Sequence, residues 1–330
     1  MERNQLNVGF IGCGVIGRRR ADALRGLANF IGCFDVSADK SNTFAFDFSC
    51  RSFTNVEELI ESSEIDFVVI ATQHDSLAKL ATESLKEFKH VFLEKPGACN
   101  SKDLRKVIKL ATKNSLKLRI GFNHNFHPAI LKMFELIENG DIGSLMYSRV
   151  RYGHGGRVGY ESEWRAKKKV AGGGELIDQG SHIIDLILKL FGDIKVSYAA
   201  TPTYFWNMEV EDNAFMVMED SNGRIGFLHA SCTEWKNLFS MEVYGTKGKI
   251  EVTGLGRSYG TETLNLYQMS PEMGPPETFS FQFDGPDLSW KLELEQFMRD
   301  IEQKTYQSDN SESSIRVLQI VEEIYRRTGR

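Results

Sequence analysis

Three short runs of residues, far apart in the chain, carry side chains of the types that perform acid–base and redox chemistry. A glycine-rich run occupies residues 12–17, a Glu-Lys-Pro run occupies 94–96, and a run at 172–182 contains an Asp and a His four residues apart. In this order they predict a loop that binds a dinucleotide, an ammonium group at a strand end, and an acid–base pair on one helical face. Such a set can move a hydride and a proton between a nicotinamide and a hydroxylated substrate.

The glycine-rich run has the spacing Gly12-x-Gly14-x-x-Gly17 and directly follows an apolar stretch. The first glycine permits a tight turn, the second lets the backbone approach a pyrophosphate, and the third allows close packing of a helix on a strand. Asp35 ends the next apolar stretch, at the distance where a carboxylate accepts hydrogen bonds from the ribose hydroxyls of an adenosine. Because a carboxylate repels a 2′-phosphate, the sequence favours NAD as the cofactor, with NADP as the weaker alternative.

The other two runs supply groups that handle protons. Lys95 follows a buried strand pattern that Pro96 ends, and the carboxyl ends of such strands are where open α/β sheets bind ligands. Asp178 and His182 share a helical face, and a histidine suits proton transfer near neutral pH. A metal site is the competing interpretation, but it needs three or four ligands and His154 is the one candidate third ligand, so no metal is predicted.

The first 122 residues alternate apolar runs with amphipathic stretches. Such an alternation can place the glycine-rich run, Asp35 and Lys95 at the ends of strands. The apolar runs predict strands that are buried on both faces, as in a parallel sheet covered by helices. They lie at 6–11, 30–34, 65–71, 90–93 and 116–121, with helical spacing at 16–27, 56–62, 77–88 and 101–114. Repeated β–α units predict a doubly wound α/β domain over residues 1–122, of the dinucleotide-binding Rossmann type.

After residue 122 the pattern changes to a few helices and many long alternating stretches. Alternation predicts half-buried strands at 144–152, 195–204, 213–218, 224–232, 239–244, 249–253, 264–268 and 277–283. Helical spacing follows at about 128–139, from the triple glycine to about 191, and in two apolar stripes near the C-terminus. These elements predict a second domain over residues 123–330, of the α+β class, with a large, mostly antiparallel open sheet.

Composition limits the partners of the protein. The formal net charge of −5 argues against nonspecific binding to nucleic acid or to an anionic membrane, because both require a basic surface. Basic runs at 18–20 and 167–169 are interpreted as solvated faces. No apolar stretch approaches the roughly 20 residues that span a bilayer. The five cysteines are odd in number and scattered, which favours free thiols and a cytoplasmic location.

The combination of motifs resembles the Gfo/Idh/MocA family, named for glucose-fructose oxidoreductase, inositol dehydrogenase and a rhizopine catabolism protein. Besides the three runs, the resemblance includes Gly-Phe-Asn at 121–123 and the pair Trp164-Arg165. It implies a nucleotide-binding domain joined to an α+β domain whose large sheet forms a homodimer or homotetramer. It also implies that Lys95, Asp178 and His182 are the catalytic residues.

The same resemblance implies two sets of contacts. Cofactor contacts are expected from Phe10, Ile11, Gly12, Gly14, Val15, Ile16, Gly17, Asp35, Ala71, Thr72, Gln73, His74, Glu94 and Lys95. Substrate contacts are expected from the catalytic three and from Asn123, His124, Trp164 and Arg165. At 73–74 this chain has Gln-His where the family usually has Pro-Asn, so the contacts near the nicotinamide ribose are expected to differ.

The function predicted from these residues is NAD-dependent hydride transfer to or from a ring carbon of a sugar, a nucleotide sugar or a cyclitol. In this hypothesis Lys95 and Asp178 hold the reacting oxygen while His182 takes its proton. Three alternatives stay open. They are a glycosidase that uses NAD transiently, an epimerase or dehydratase that passes through a keto-sugar, and a regulator of the same fold that senses sugar or NAD.

Overall fold

A computed structural model describes residues 5–272, 274–303 and 310–330. The chain forms two compact units. Unit 1 comprises Met1–Phe122 and Trp290–Ile315, and unit 2 comprises Asn123–Ser289 and Arg316–Arg330. The sequence analysis assigns all of 123–330 to the second domain, whereas the structure groups 290–315 with unit 1.

Unit 1 is built on six parallel strands in the order β3-β2-β1-β4-β5-β6. They are β1 Asn7–Ile11, β2 Asn29–Phe34, β3 Arg51–Ser52, β4 Phe67–Ile70, β5 His90–Glu94 and β6 Leu118–Gly121. Every residue of β4 and β6 is buried, as expected for parallel strands that are covered on both faces. The predicted doubly wound Rossmann fold is therefore confirmed.

The helices of unit 1 are α1 Val15–Leu24, α2 Ala38–Phe48, α3 Val56–Glu61, α4 His74–Lys86, α5 Ser101–Lys113 and, later in the chain, α9 Ser289–Gln303. Helix α2 is absent from the sequence prediction. It packs through Phe44 and Phe48 on the aromatic residues of β1 and β2, with ring centroids 5.1 Å apart for Phe10 and Phe44. Leu294 and Phe297 of α9 join the same core, which explains why this helix belongs to unit 1.

Unit 2 is built on eight strands in the order β14-β13-β12-β11-β7-β10-β9-β8. They are β7 Leu145–Gly153, β8 Ile194–Ala200, β9 Asn213–Asp220, β10 Ile225–Ser231, β11 Leu238–Gly245, β12 Gly248–Thr253, β13 Glu262–Gln268 and β14 Glu277–Phe283. Neighbouring strands run antiparallel except for β7 and β10, which are parallel. The predicted mostly antiparallel sheet is confirmed.

The helices of unit 2 are α6 Pro128–Glu138, the short α7 Lys168–Ala171, α8 Ser181–Phe191 and most of α10 Ser311–Thr328. A π-helical turn at Leu176–Gly180 leads directly into α8. Within the described part of the chain, no helix combines the length and apolar character needed to cross a membrane.

Candidate active site

The order of strands in unit 1 brings the predicted cofactor segments together. Adjacent parallel strands β2, β1, β4 and β5 are followed by Asp35, by the glycine loop, by 71–74 and by Lys95 respectively. Because parallel strands end at one edge of the sheet, these four segments lie side by side along that edge. It is the edge where open α/β sheets bind dinucleotides.

The glycine loop has the shape that a pyrophosphate requires. Gly12 has a φ of +98°, and a Cβ there would lie 2.4 Å from the carbonyl oxygen of Ala71. A Cβ on Gly17 would lie 2.0 Å from the carbonyl oxygen of Gly12. Only a glycine at position 17 therefore lets α1 pack so closely against the loop that follows β1. By contrast, a Cβ on Gly14 would have no heavy atom within 4 Å. The second glycine therefore leaves open space at the start of α1, where backbone N–H groups bind anions.

Asp35 connects the ends of β1 and β2. Its carboxylate accepts hydrogen bonds from the backbone N–H of Cys13 at 2.8 Å and of Ser37 at 2.9 Å. Each carboxylate oxygen can accept a second hydrogen bond, so ribose hydroxyls can still bind there. Val15 and Val36 flank this segment and are 70% and 95% exposed, which leaves apolar surface at the same edge. These residues fit NAD.

The remaining predicted cofactor residues differ in exposure. Phe10, Ile11 and His74 are buried, Ile16, Ala71 and Thr72 are half-buried, and Gln73 is exposed. His74 begins α4 and is 4% exposed, whereas Gln73, the residue before it, is exposed at the end of β4. Of the two residues that depart from the family pattern, Gln73 is thus the more accessible one.

Glu94 is the last residue of β5 and Lys95 follows it, but their side chains lie in different surroundings. Lys95 is half-buried, whereas the Glu94 carboxylate is buried and accepts a hydrogen bond from Nε of Arg20 at 2.6 Å. Nη1 of the same arginine donates to Glu293 at 2.7 Å. Arg20 is fully buried, so the interpretation of 18–20 as a solvated face is wrong for this residue. The Glu94 side chain, predicted to contact the cofactor, is engaged in the interior of unit 1.

In unit 2, the triple glycine fixes the approach to Asp178 and His182. A Cβ on Gly173 would lie 1.9 Å from the Tyr325 hydroxyl, and a Cβ on Gly174 would lie 2.0 Å from the carbonyl oxygen of Glu211. The run is therefore closely packed. It leads into the π-helical turn that carries Asp178, and His182 follows in the first turn of α8.

His182 lies in a cluster of rings that the sequence analysis identified only in part. The His124 ring stacks on it with centroids 3.9 Å apart, and Tyr152 stands edge-on to His182 at 6.0 Å. The predicted residue His124 therefore contacts a predicted catalytic residue directly. Tyr152 was missed, although its position near the end of a long strand, close to His154, was a usable signal.

The other predicted substrate residues lie around Asp178 and the start of α6. Arg165 donates from Nε to Oδ2 of Asp178 at 3.1 Å, and its guanidinium lies over the Trp164 ring at 4.5 Å. Asn123 is buried and donates to the Ser289 hydroxyl at 2.9 Å. Trp164, Arg165 and Asp178 thus form one group, while the amide of Asn123 is bonded to Ser289.

Glu175 is a buried carboxyl group that the sequence analysis did not single out. It lies one turn before Asp178, accepts a hydrogen bond from the Tyr160 hydroxyl at 2.9 Å, and is 3.8 Å from Nε2 of His154. Burial, reinforced by the nearby Asp178 carboxylate, raises the pKa of Glu175 to about 8. Burial also lowers the pKa of His154. Both groups therefore favour their neutral forms near neutral pH.

We expect Glu175→Gln to stabilise the protein at alkaline pH. A raised carboxyl pKa means that the unfolded chain loses this proton at lower pH than the folded one, so stability falls as pH rises from about 5 to about 8. Glutamine stays neutral, so the gain in melting temperature of the variant over wild type should be small at about pH 5 and several degrees at about pH 9. Glu161→Gln is the control, because Glu161 is an exposed glutamate next to Tyr160, the hydrogen-bond partner of Glu175. An equal difference at both pH values would contradict the argument.

Family models match both units. Residues 6–122 match the model described as the oxidoreductase family with an NAD-binding Rossmann fold. Residues 130–251 match the model of the GFO/IDH/MocA C-terminal domain. Among the residues that the structure describes, no three His, Cys, Asp or Glu side chains are grouped as a metal site.

Several named proteins are similar over most of their length. Glucose-6-phosphate 3-dehydrogenase of Bacillus subtilis is 27% identical over 278 residues, which are 79% of this chain and 76% of that protein. Myo-inositol 2-dehydrogenase of Thermotoga maritima is 26% identical over 258 residues, 74% of each. A solved structure of levoglucosan dehydrogenase in complex with NADH has a TM-score of 0.88 at 21% identity, covering 98% of this chain and 97% of that one.

Proposed function

This chain belongs to the GFO/IDH/MocA oxidoreductase family, and we propose that it transfers a hydride between NAD and a ring carbon of a sugar, nucleotide sugar or cyclitol. The observation that carries the proposal is the order of β2, β1, β4 and β5, which lines up Asp35, the glycine loop and Lys95 along one sheet edge. The relatives named above act on sugars and on an inositol, which supports a substrate of this class.

Three side chains perform the proton chemistry in this proposal. NAD, when bound, supplies the hydride acceptor. The Lys95 ammonium donates a hydrogen bond to the reacting hydroxyl oxygen and stabilises the negative charge that develops on it. Asp178, oriented by Arg165, accepts a hydrogen bond from the substrate and fixes its position. His182 takes the hydroxyl proton, and in the reverse direction it returns that proton to a keto-sugar.

Asp35 is expected to decide the preference for NAD. In Asp35→Ser, the loss of the carboxylate removes charge-assisted hydrogen bonds to the ribose, so the KM for NAD should rise about tenfold or more. Repulsion of a 2′-phosphate disappears too, so the ratio of kcat/KM for NAD over NADP should fall. Steady-state kinetics with both cofactors measure this. Asp39→Ser, an exposed aspartate in the first turn of α2, is the matched control.

The proposed function is tested by the appearance of NADH. The purified protein is supplied with NAD and a panel of inositols, free sugars and nucleotide sugars, and NADH absorbance is followed. Accumulation of NADH with one class supports a dehydrogenase. Cleavage of a glycosidic bond without NADH accumulation would instead establish the NAD-using glycosidase, and binding of NAD and sugar without any turnover would establish the regulator.

We also propose a cytoplasmic homodimer or homotetramer that associates through the sheet of unit 2. Tyr147 and Arg149 on β7 pair with Ile225 and Phe227 on β10, so these four residues share one face. Tyr147, Ile225 and Phe227 are all exposed in the single chain. Adjacent exposed apolar side chains of this kind mark interaction surfaces. A monomer at micromolar concentration in light scattering would contradict this part of the proposal.

A further inference from the structure

We propose that Phe205, Trp206 and Trp235 form a subsite for a second pyranose ring, so that the substrate is a neutral glycoside of the oxidised sugar. The three residues are called the aromatic platform below. The inference rests on the proposed function, because it names the substrate class of the same site.

The platform presents large aromatic faces to solvent. Trp235 is 66% exposed and Phe205 is 57% exposed. The two rings are perpendicular with centroids 4.7 Å apart, and Phe205 is also perpendicular to Trp206 at 5.1 Å. Perpendicular exposed rings make a corner with two apolar walls. The C–H face of a pyranose packs on such a wall while its hydroxyls remain free for polar partners.

The backbone holds these rings in place. Trp235 has a φ of +58°, in the left-handed region that is costly for a bulky residue. The buried carboxylate of Asp212 accepts hydrogen bonds from the backbone N–H groups of Tyr204, Phe205 and Trp206, and the Trp206 indole donates to the carbonyl oxygen of Cys232 at 2.9 Å. A preorganised, strained arrangement around exposed apolar rings is typical of a ligand site.

The platform lies close to the group around Asp178. A Cβ on Gly156 would lie 2.3 Å from the Trp206 ring, so the loop that follows β7 is pressed against the platform. Tyr160 contacts Trp206 with centroids 5.6 Å apart, and its hydroxyl bonds to Glu175, one turn before Asp178. One aromatic layer therefore separates the platform from the turn that carries Asp178.

Charge favours a neutral ring over a nucleoside diphosphate. The segments 204–210 and 233–238, which carry the platform, contain Glu209 and Glu234 but only one basic residue, Lys236. The arginines of this region already have partners. Arg157 donates twice to Glu163 at 2.6 Å, and Arg165 is bonded to Asp178. Arg330 donates to the carbonyl oxygen of Glu209 and to the Thr203 hydroxyl. A diphosphate requires a concentration of positive charge that these segments do not provide.

The test compares monosaccharides with disaccharides in the full-length protein. Glucose, galactose, cellobiose, maltose, lactose and UDP-glucose are titrated by calorimetry with NADH present, and NADH formation is followed separately with NAD. We expect at least one disaccharide to bind about tenfold more tightly than its monosaccharide, and Trp235→Ala to abolish that difference while the monosaccharide affinity stays within about twofold. Trp235→Phe should retain most of it.

Phe88→Ala is the matched control, because Phe88 is also an exposed aromatic residue, 71% exposed, with a φ of +57°. If no disaccharide binds more tightly than its monosaccharide, or if UDP-glucose binds best and Trp235→Ala weakens it, the glycoside proposal is overturned. Calorimetric binding decides this independently of turnover. A glycoside that binds through Trp235 without any NADH formation would uphold the subsite and contradict the dehydrogenase instead.

Discussion

Lys95→Met and His182→Asn should each lower kcat by about 10²- to 10⁴-fold, the usual contribution of a positioned proton donor or acceptor. Lys95 follows the end of β5, where methionine preserves the bulk of the side chain and removes the ammonium. His182 is packed against His124 and Tyr152, so asparagine keeps a polar group and removes the basic nitrogen. NAD binding should persist in both variants, because the glycine loop and Asp35 are untouched. Fluorescence titration of NADH and steady-state kinetics measure the two properties.

Lys102→Met provides the control, since Lys102 is an exposed lysine of the same unit on α5. It should turn over substrate at the wild-type rate. Near-normal kcat in both Lys95→Met and His182→Asn would remove these residues from the mechanism. A variant of Lys95 that no longer binds NADH would instead mean that the ammonium places the cofactor.

The parts of the site that follow from local sequence were predictable. The Rossmann strands appear as apolar runs because both faces of the sheet are covered, and the glycine spacing is set by contacts within one turn and with Ala71. The order of the strands then brings Asp35, the glycine loop and Lys95 to one edge. These features depend on the covering helices and adjacent strands that every doubly wound sheet has. A sequence pattern is therefore enough to predict them.

Helix α2 shows what local pattern does not reveal. Its sequence contains Ser, Asn, Thr and two Asp residues, which are weak helix formers. The helix is held by packing of Phe44 and Phe48 on Phe10 and Phe30, with Phe30 and Phe48 centroids 5.6 Å apart. Tertiary contacts thus decide an element that propensity leaves undecided.

The surroundings of Asp178 were predictable only in part for the same reason. Asp178, His182 and Arg165 stand in recognisable motifs, whereas the spacing of the 172–182 run indicates no role for Glu175. Its unusual environment comes from Tyr160 and His154, which a separate loop contributes. The raised pKa of Glu175 results from its burial among these residues, and no spacing in the sequence indicates that burial.

Arg20 was misjudged because its partners are remote in the sequence. Glu94 is 74 residues away and Glu293 is 273 residues away, and α9 brings the second of them into unit 1. The guanidinium also lies between the rings of Phe92 and Trp290, at 4.4 Å from each. Burial raises the pKa of Glu293 to about 7 despite the attraction of Arg20. The network therefore joins the dinucleotide-binding helix α1, the residue before Lys95, and α9.

Arg20→Met should destabilise unit 1 by about 3–5 kcal/mol, because it leaves two buried carboxyl groups without their shared cation. For a unit of this size the melting temperature should fall by roughly 10 °C or more. Thermal unfolding followed by circular dichroism measures the change. Combining Arg20→Met with Glu293→Gln should recover part of the loss, because glutamine removes one of the two stranded charges.

Arg19→Met tests whether the loss of stability in Arg20→Met comes from removing any positive charge of α1 or from removing a buried one. Arg19 is the adjacent residue of α1 and is exposed, so its loss should change the melting temperature by no more than about 2 °C. If Arg20→Met were as stable as Arg19→Met, Glu94 and Glu293 would not require the Arg20 guanidinium. The ion-pair network would then not be what stabilises the end of β5. If it is much less stable and the double variant recovers, the buried Arg20 stabilises Glu94 at the end of β5 and Glu293 on α9, whereas Arg19 remains at the surface of unit 1.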